Sequence, residues 1–355
     1  MVKNIDGVRG VAVLMVFLFH SRFFLFPPDN GINSVFDIPV QDLKFKEIVY
    51  HLSPFSYGWS GVQLFLLISG FLIHYTNFES ISGKEYFIKR VFRIYPLYLV
   101  ALILYFAVEG NVFSISDFSL HALLINNLFG ANFFSIGPHF WSLGLEFQLY
   151  ILYFFVWKYT SAKHFYTLFL VSFFVAITSI LVISYYHLTT PNFTNSVGVY
   201  WPIWLSGAEL AIRYKTNNIL KFNPILPIVI LLCTAFLGPR IPIFWLQPYM
   251  FSIAFYMLIS HVLVTNLTMS LWSFLIYIGK IGYGFYLFHV IFLKLVPEIK
   301  LFNLVNYSTV FSLFDISAVF LLIMIVSDFM YENYEKKWID YGKKLAIKFR
   351  GESLS

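Results

Sequence analysis

Apolar residues dominate this chain in long blocks separated by short polar breaks. Runs long enough to cross a bilayer as helices, about 20 residues each, lie at 7–26, 58–77, 91–109, 138–157, 164–187, 197–214, 222–239, 247–267, 273–296 and 310–330. The seventh is the weakest of the ten, because Pro224, Pro227 and Pro239 bracket a short apolar core. The stretch Asp117–Phe129 is too polar and too short to span and reads as interfacial or re-entrant. The pattern predicts an all-α, polytopic membrane protein with about ten transmembrane helices.

Lysine and arginine then orient those spans. With the N-terminus inside, seventeen of them collect on inner segments and six on outer ones, and Lys280 falls within a span. Positive charge accumulates on the cytoplasmic side, so the imbalance predicts both termini in the cytoplasm. The longest outer segment, about 27–57, contains Pro27-Pro28 and is expected to form a small cap. Residues 1–330 read as one transmembrane domain. The tail, 331–355, alternates charged with apolar residues and reads as a short cytoplasmic amphipathic helix on the anionic inner leaflet.

Composition narrows the class. The 355 residues are 59% hydrophobic and only 12% charged, and the mean hydropathy is +0.74. A water-facing surface is normally about a quarter charged or more, so no large soluble domain fits. Forty-three Phe and 24 Tyr suit lipid-facing and interfacial positions. A lone cysteine, Cys233, excludes a disulfide framework and a cysteine metal cluster. The net charge of +6 is a topology signal here and says nothing of nucleic acid. The start does not read as a cleavable signal, because Asp6 and Arg9 interrupt the apolar run and no small-residue cleavage site follows it.

Within this apolar frame the ionisable residues carry the information. Asp6, Arg9 and His20 all fall in the first run. Eleven steps of about 100° bring His20 to within about 20° of Arg9, with a rise of about 16 Å. One helix face thus carries a cation near one membrane surface and an imidazole well inside. Such groups usually face a cavity, a partner or a substrate path. The plainer alternative is an interfacial arginine and a hydrogen-bonded histidine between helices.

Span four carries Ser142, Glu146 and Tyr150 at i, i+4, i+8, on one face. Glu146 lies about 12 Å from the outer end of its span and His20 about 10 Å from the outer surface, in a core about 30 Å thick. At matching depth the two could pair, the carboxylate holding one imidazole tautomer and raising its basicity for action on a hydroxyl. A structural pair between helices fits equally. Arg90 and Arg93 share a side of the start of span three and suit phosphate binding, lipid headgroups or topology alone. His289, near the outer mouth, could contact an acceptor or sit at the interface. Span two, with Gly58, Gly61 and Gly70, reads as a packing helix. Glu209 and Arg213 most simply pair with each other. There is no phosphate loop, nucleophile elbow or His-Glu-x-x-His, and nothing calls for a metal.

Taken in order, Ile5-Asp6-Gly7-Val8-Arg9-Gly10 leading to His20, Gly61-Val62 through Ser69-Gly70-Phe71, and Arg90-Val91-Phe92-Arg93-Ile94-Tyr95-Pro96 form a series. Trp141-Ser142 through Glu146 and Tyr150, and then Tyr286-Leu287-Phe288-His289, complete it. The series resembles the acyltransferase family 3 membrane proteins over most of the chain. The resemblance implies a ten-helix domain in the bacterial cytoplasmic membrane. It moves an acyl group, usually acetyl, from cytoplasmic acetyl-coenzyme A to a hydroxyl of a lipid-linked or cell-envelope polysaccharide such as lipopolysaccharide. Carried over by residue, His20 is the base and Glu146 orients it, Arg9, Arg90 and Arg93 bind the coenzyme A phosphates, and Ser142, Tyr150 and His289 are expected beside the acceptor.

Two departures stand out. Val290 follows His289 where members often have proline, and Tyr331–Lys336 lacks the usual Glu-x-Pro-like stretch. Many relatives also carry a fused extracytoplasmic domain; with the chain ending at Ser355, transfer is expected to finish in the membrane domain or pass to a separate protein. The rival class is a proton-coupled transporter of an anionic solute, with the buried His and Glu as a relay. The absence of an inverted repeat in the sequence weighs against it.

Overall fold

A computed structural model describes residues 3–25, 52–77, 83–109, 114–159, 164–238, 244–265, 267–294 and 309–352. The expected outer cap at 27–57 therefore lies almost wholly outside the described residues. Every regular element among them is helical. Short turns aside, the helices are α1 (Lys3–Leu25), α2 (Gly61–Thr76), α3 (Gly83–Glu109), α4 (Ile115–Ala122) and α5 (Trp141–Tyr159). They continue as α6 (Phe165–Tyr185), α7 (Val197–Lys215), α8 (Ile225–Leu237), α9 (Gln247–Val264), α10 (Ser270–Lys280) and α11 (Gly282–Lys294). The last two are α12 (Thr309–Met330) and α13 (Lys336–Glu352).

Each of the ten apolar runs falls on helix. Among the described residues six helices are long and apolar enough to cross a membrane, or seven if α10 and α11 count as one span, against the ten expected. The ninth run is the main departure from expectation. It is not one straight helix but two, bent by 79° at Ile281. Asp117–Phe129 forms the short helix α4 and a following 3-10 turn at Asn126–Leu128. Ser114 caps α4: its Oγ accepts from the Asp117 amide at 3.0 Å, and its own amide donates to Asp117 Oδ2 at 2.9 Å.

The chain divides into two compact units, residues 1–68 with 213–327, and residues 69–212 with 328–355. In the first, α1 is the element against which the others pack. Asn4 donates to the Val262 and Thr265 carbonyls, satisfying the end of α9, and accepts from Trp272 Nε1 at 3.3 Å. Beyond it α1 meets α10 almost backbone to backbone. A Cβ on Gly10 would stand 2.0 Å from the Leu275 oxygen, and one on Gly279 would stand 1.8 Å from the Asp6 oxygen. Only glycine permits this approach, the small-residue packing expected where no water drives helices together. An apolar cluster of Val13, Phe17, Ile278, Phe285, Leu293, Ile316, Val319 and Ile323 closes the far half of the helix.

The second unit is packed by aromatic rings. Trp204, Tyr98, Tyr105 and Phe140 are fully buried, and Gly70 approaches the Trp204 carbonyl so closely that a Cβ would stand 1.9 Å from its oxygen. The tail is helical, as its alternation predicts. A π-turn over Tyr331–Glu335 leads into α13, giving a helical run Phe314–Phe349 of 36 residues. At about 1.5 Å per residue this is about 54 Å, more than a bilayer core of about 30 Å, and its second half holds the lysines. Here α13 lies along α3: Gly342 sits over Phe92, whose ring stacks on Trp338 and meets Tyr341.

Candidate functional site

The polar residues singled out by sequence fall into two groups, one in each unit. In the first unit Arg9 lies beside the break between α10 and α11. Its Nη1 donates to Asp6 Oδ1 at 2.8 Å and reaches the Gly279 carbonyl at 3.5 Å. Gly279 is near the C-terminal end of α10, where carbonyls lack helical partners and the helix dipole is negative. The guanidinium thus stabilises the bend, and Asp6 balances its charge. Both side chains are largely buried, at 12% and 13% exposure.

Three turns on, His20 meets His289. Nδ1 of His20 is 2.9 Å from the Val16 carbonyl, one turn back on α1, and 3.1 Å from Nε2 of His289. His289 is itself buried, with its Nδ1 2.7 Å from the Tyr286 carbonyl. The rings are tilted by 58° at a centroid separation of 4.9 Å. Phe19 packs edge-on against His20, and the Arg22 guanidinium lies 3.6 Å over the Phe19 ring. The helical spacing that aligned Arg9 with His20 therefore holds on α1. The partner of His20 comes from 269 residues away, and no local pattern points to it.

In the second unit α3 and α5 bring Arg90, Glu146 and Tyr150 into electrostatic contact, with Arg93 alongside. Tyr150 is the centre of this group. Its hydroxyl donates to Glu146 Oε1 and accepts from Ser69 Oγ at 3.0 Å. Trp204 Nε1 donates to the same serine at 3.3 Å, and the Tyr86 hydroxyl donates to the Tyr150 carbonyl at 3.0 Å. Arg90 lies 6.0 Å from the Tyr86 ring centroid. Its Nε is buried and has no hydrogen-bond partner among the described residues. The i, i+4 relation of Glu146 and Tyr150 is a real contact, whereas Ser142 turns its hydroxyl back onto the His139 carbonyl at 3.0 Å.

The pairing of Glu146 with His20 suggested by depth joins residues of different units. Within its own unit each has a partner of its own, Tyr150 for Glu146 and His289 for His20. Ser69, Tyr86 and Trp204 entered the sequence reading at most as packing. Ser69 was visible in the Ser-Gly-Phe series; Tyr86 and Trp204 gave no signal among so many aromatics. His74, assigned no role from sequence, bonds Tyr153 at 2.9 Å and meets Trp157 edge-on.

A family model described as an acyltransferase domain, acyltransferase family 3, matches residues 2–332. The chain belongs to this family. Among curated relatives, a protein of Acidianus two-tailed virus named "Putative acetyltransferase ORF330" is 28% identical over 254 residues, covering 68% of this chain and 74% of its own. An uncharacterised protein of Haemophilus influenzae is 27% identical over 186 residues, covering 44% of this chain and 76% of its own. No solved structure matches. As an acyltransferase, the molecule needs a group that takes a proton from the attacking nucleophile. The first unit has the half-buried His20 against the buried His289, and the second has Arg90 and Arg93.

Proposed function

We propose that the protein is a membrane O-acyltransferase, moving an acyl group, acetyl foremost, from cytoplasmic acyl-coenzyme A to a hydroxyl of an extracytoplasmic or lipid-linked polysaccharide sugar. The observation that carries this reading is the state of His20. Its Nδ1 faces a carbonyl oxygen at 2.9 Å, so that nitrogen bears the proton and the basic lone pair is on Nε2. In the reaction Nε2 takes the proton of the sugar hydroxyl as its oxygen attacks the thioester carbon. The carbon–sulfur bond then breaks, the sulfur leaves as thiolate, and the proton passes from His20 to it, giving ester and free coenzyme A. A route through a transient acyl group on a protein side chain is a variant with the same base.

Donor phosphates are assigned to Arg90 and Arg93, a guanidinium pair of the kind suited to bidentate phosphate contacts; Arg9, expected from sequence as a third such cation, is paired with Asp6 at 2.8 Å. Glu146 balances the charge of Arg90, while Ser142 and Tyr150 flank the acceptor. Ten spans and cytoplasmic termini complete the proposal, so that the donor approaches from the arginine-rich side.

The test uses inside-out vesicles containing the full chain and the host's surface glycan, with labelled acetyl-coenzyme A outside. Alkali-labile label is expected to enter the glycan fraction with the parent protein and to fall by about 100-fold or more in His20→Ala, with Glu146→Gln also reduced. Label that never leaves acetyl-coenzyme A, or other acyl donors, in the parent would overturn the enzyme reading in favour of an anion transporter. Undiminished transfer by His20→Ala would remove His20 as the base.

A further inference from the structure

We propose that His289 is the positioning residue of the His20 base, a neutral imidazole that fixes the tautomer of its neighbour and takes up the charge that develops there. The inference rests on His20 being the base of an acyl transfer and adds what holds it ready.

Two carbonyls determine the protonation pattern. Nδ1 of His289 lies 2.7 Å from the Tyr286 oxygen, and Nδ1 of His20 lies 2.9 Å from the Val16 oxygen. A carbonyl oxygen only accepts, so each Nδ1 must carry a hydrogen; a bare nitrogen there would set lone pair against lone pair. In a neutral imidazole this makes Nε2 of His289 an acceptor. That nitrogen is 3.1 Å from Nδ1 of His20. The N–H of His20 is therefore shared between the Val16 carbonyl and His289. The opposite arrangement, with His289 donating, would need both Nδ1 atoms to be bare and is excluded by the same two carbonyls. The result is a directional chain: Nε2 of His20 basic, its N–H bonded to Nε2 of His289, and the N–H of His289 bonded to the α11 backbone.

The arrangement does for His20 what a carboxylate does in a hydrolase triad, without a charge. When His20 accepts a proton it becomes an imidazolium, and its bond to His289 becomes charge-assisted and stronger. That gain appears only as charge develops, so it favours the transition state over the ground state. His289 is held rigidly for the purpose: it is buried to 1% exposure, it packs at 5.7 Å against Tyr286, and Tyr286 is braced edge-on by Phe65. It does not touch the reacting atoms in this scheme, which moves it from the acceptor contact expected from sequence to a role behind the base.

The experiment has two readouts on the full chain. In the parent protein in nanodiscs at pH 8, with 15N-labelled histidine and resonances identified by subtraction with His20→Ala and His289→Gln, both rings are expected to show a protonated Nδ1 and a bare Nε2. A His20 ring protonated on Nε2 overturns the proposal, whatever the variants do. In turnover, followed as coenzyme A release from acetyl-coenzyme A by the glycan-containing vesicles, His289→Leu is expected to fall by about 100-fold with an unchanged KM for the donor. His289→Gln, whose side-chain oxygen can accept the same hydrogen, is expected to recover at least a tenth of parent turnover. Parent-like turnover in His289→Leu, or no advantage of Gln over Leu, overturns it. If the parent releases no coenzyme A, or His20→Ala turns over normally, the acyl-transfer base fails instead, and the nitrogen shifts of the parent still decide the tautomer chain.

Discussion

Arg9 and Arg90 both stand early in an apolar helix, each inside a basic motif, and their surroundings are opposite. Arg9 is paired within its own unit: Asp6 balances its charge one turn back, and the same Nη1 reaches the Gly279 carbonyl near the end of α10. Arg90 has a buried Nε with no hydrogen-bond partner among the described residues, and another arginine lies one turn on. A half-buried guanidinium whose buried Nε makes no hydrogen bond, with a like charge beside it, costs stability. Such a cost is the mark of a group kept for a ligand rather than for the fold. The comparison teaches that a basic motif is not one thing. In the first unit it lies against a bent helix pair, and in the second it is the pair proposed to meet the donor's phosphates.

The comparison can be broken most drastically at the glycine beside Arg9. With a Cβ 1.8 Å from a backbone oxygen, Gly279→Ala must separate α1 from α10, and we expect a loss of more than about 3 kcal/mol. Detergent-solubilised protein should then aggregate or melt far below the parent. A parent-like melting temperature would contradict the close approach on which the placing of Arg9 depends.

Next in size is the ion pair. Arg9→Gln leaves the Asp6 carboxylate without its charge partner in a largely buried site, and about 2 kcal/mol should be lost. Asp6→Asn combined with Arg9→Gln should restore part of that loss, because the buried charge disappears with its partner. Strict additivity of the two single effects in thermal melts would mean that the pair contributes nothing as a pair.

How much of this was legible beforehand follows the range of the interactions. The helices were visible because each is a long apolar block, and the alignment of Arg9 with His20, or Glu146 with Tyr150, because both lie within one helix. The close approach of Gly10 to α10 was not read from the opening motif; packing had been expected of the glycines in span two. The bend at Ile281 was hidden, since Gly279-Lys280-Ile281-Gly282 contains no proline. Arg9 and the α1 backbone, 270 residues earlier in the chain, pack against that break. The His20–His289 contact was hidden for the same reason. Depth in the membrane can be counted from sequence, but which helices are neighbours cannot, so matching depth pointed from His20 to Glu146 and not to His289.

Removal of Arg90 should cost the fold least, and this sharpens the comparison most. The deciding measurement is the melting temperature of purified parent and Arg90→Leu, each with and without coenzyme A at saturating concentration. The account predicts that Arg90→Leu alone stays within about 1 kcal/mol of the parent in stability, because relief of the incompletely hydrogen-bonded guanidinium offsets the loss of the cation beside Glu146. It also predicts that coenzyme A raises the melting temperature of the parent but not of the variant. An Arg90→Leu protein that melts well below the parent and is still stabilised by coenzyme A to the parent's extent would make Arg90 a structural residue like Arg9, and the distinction between the two units would fall.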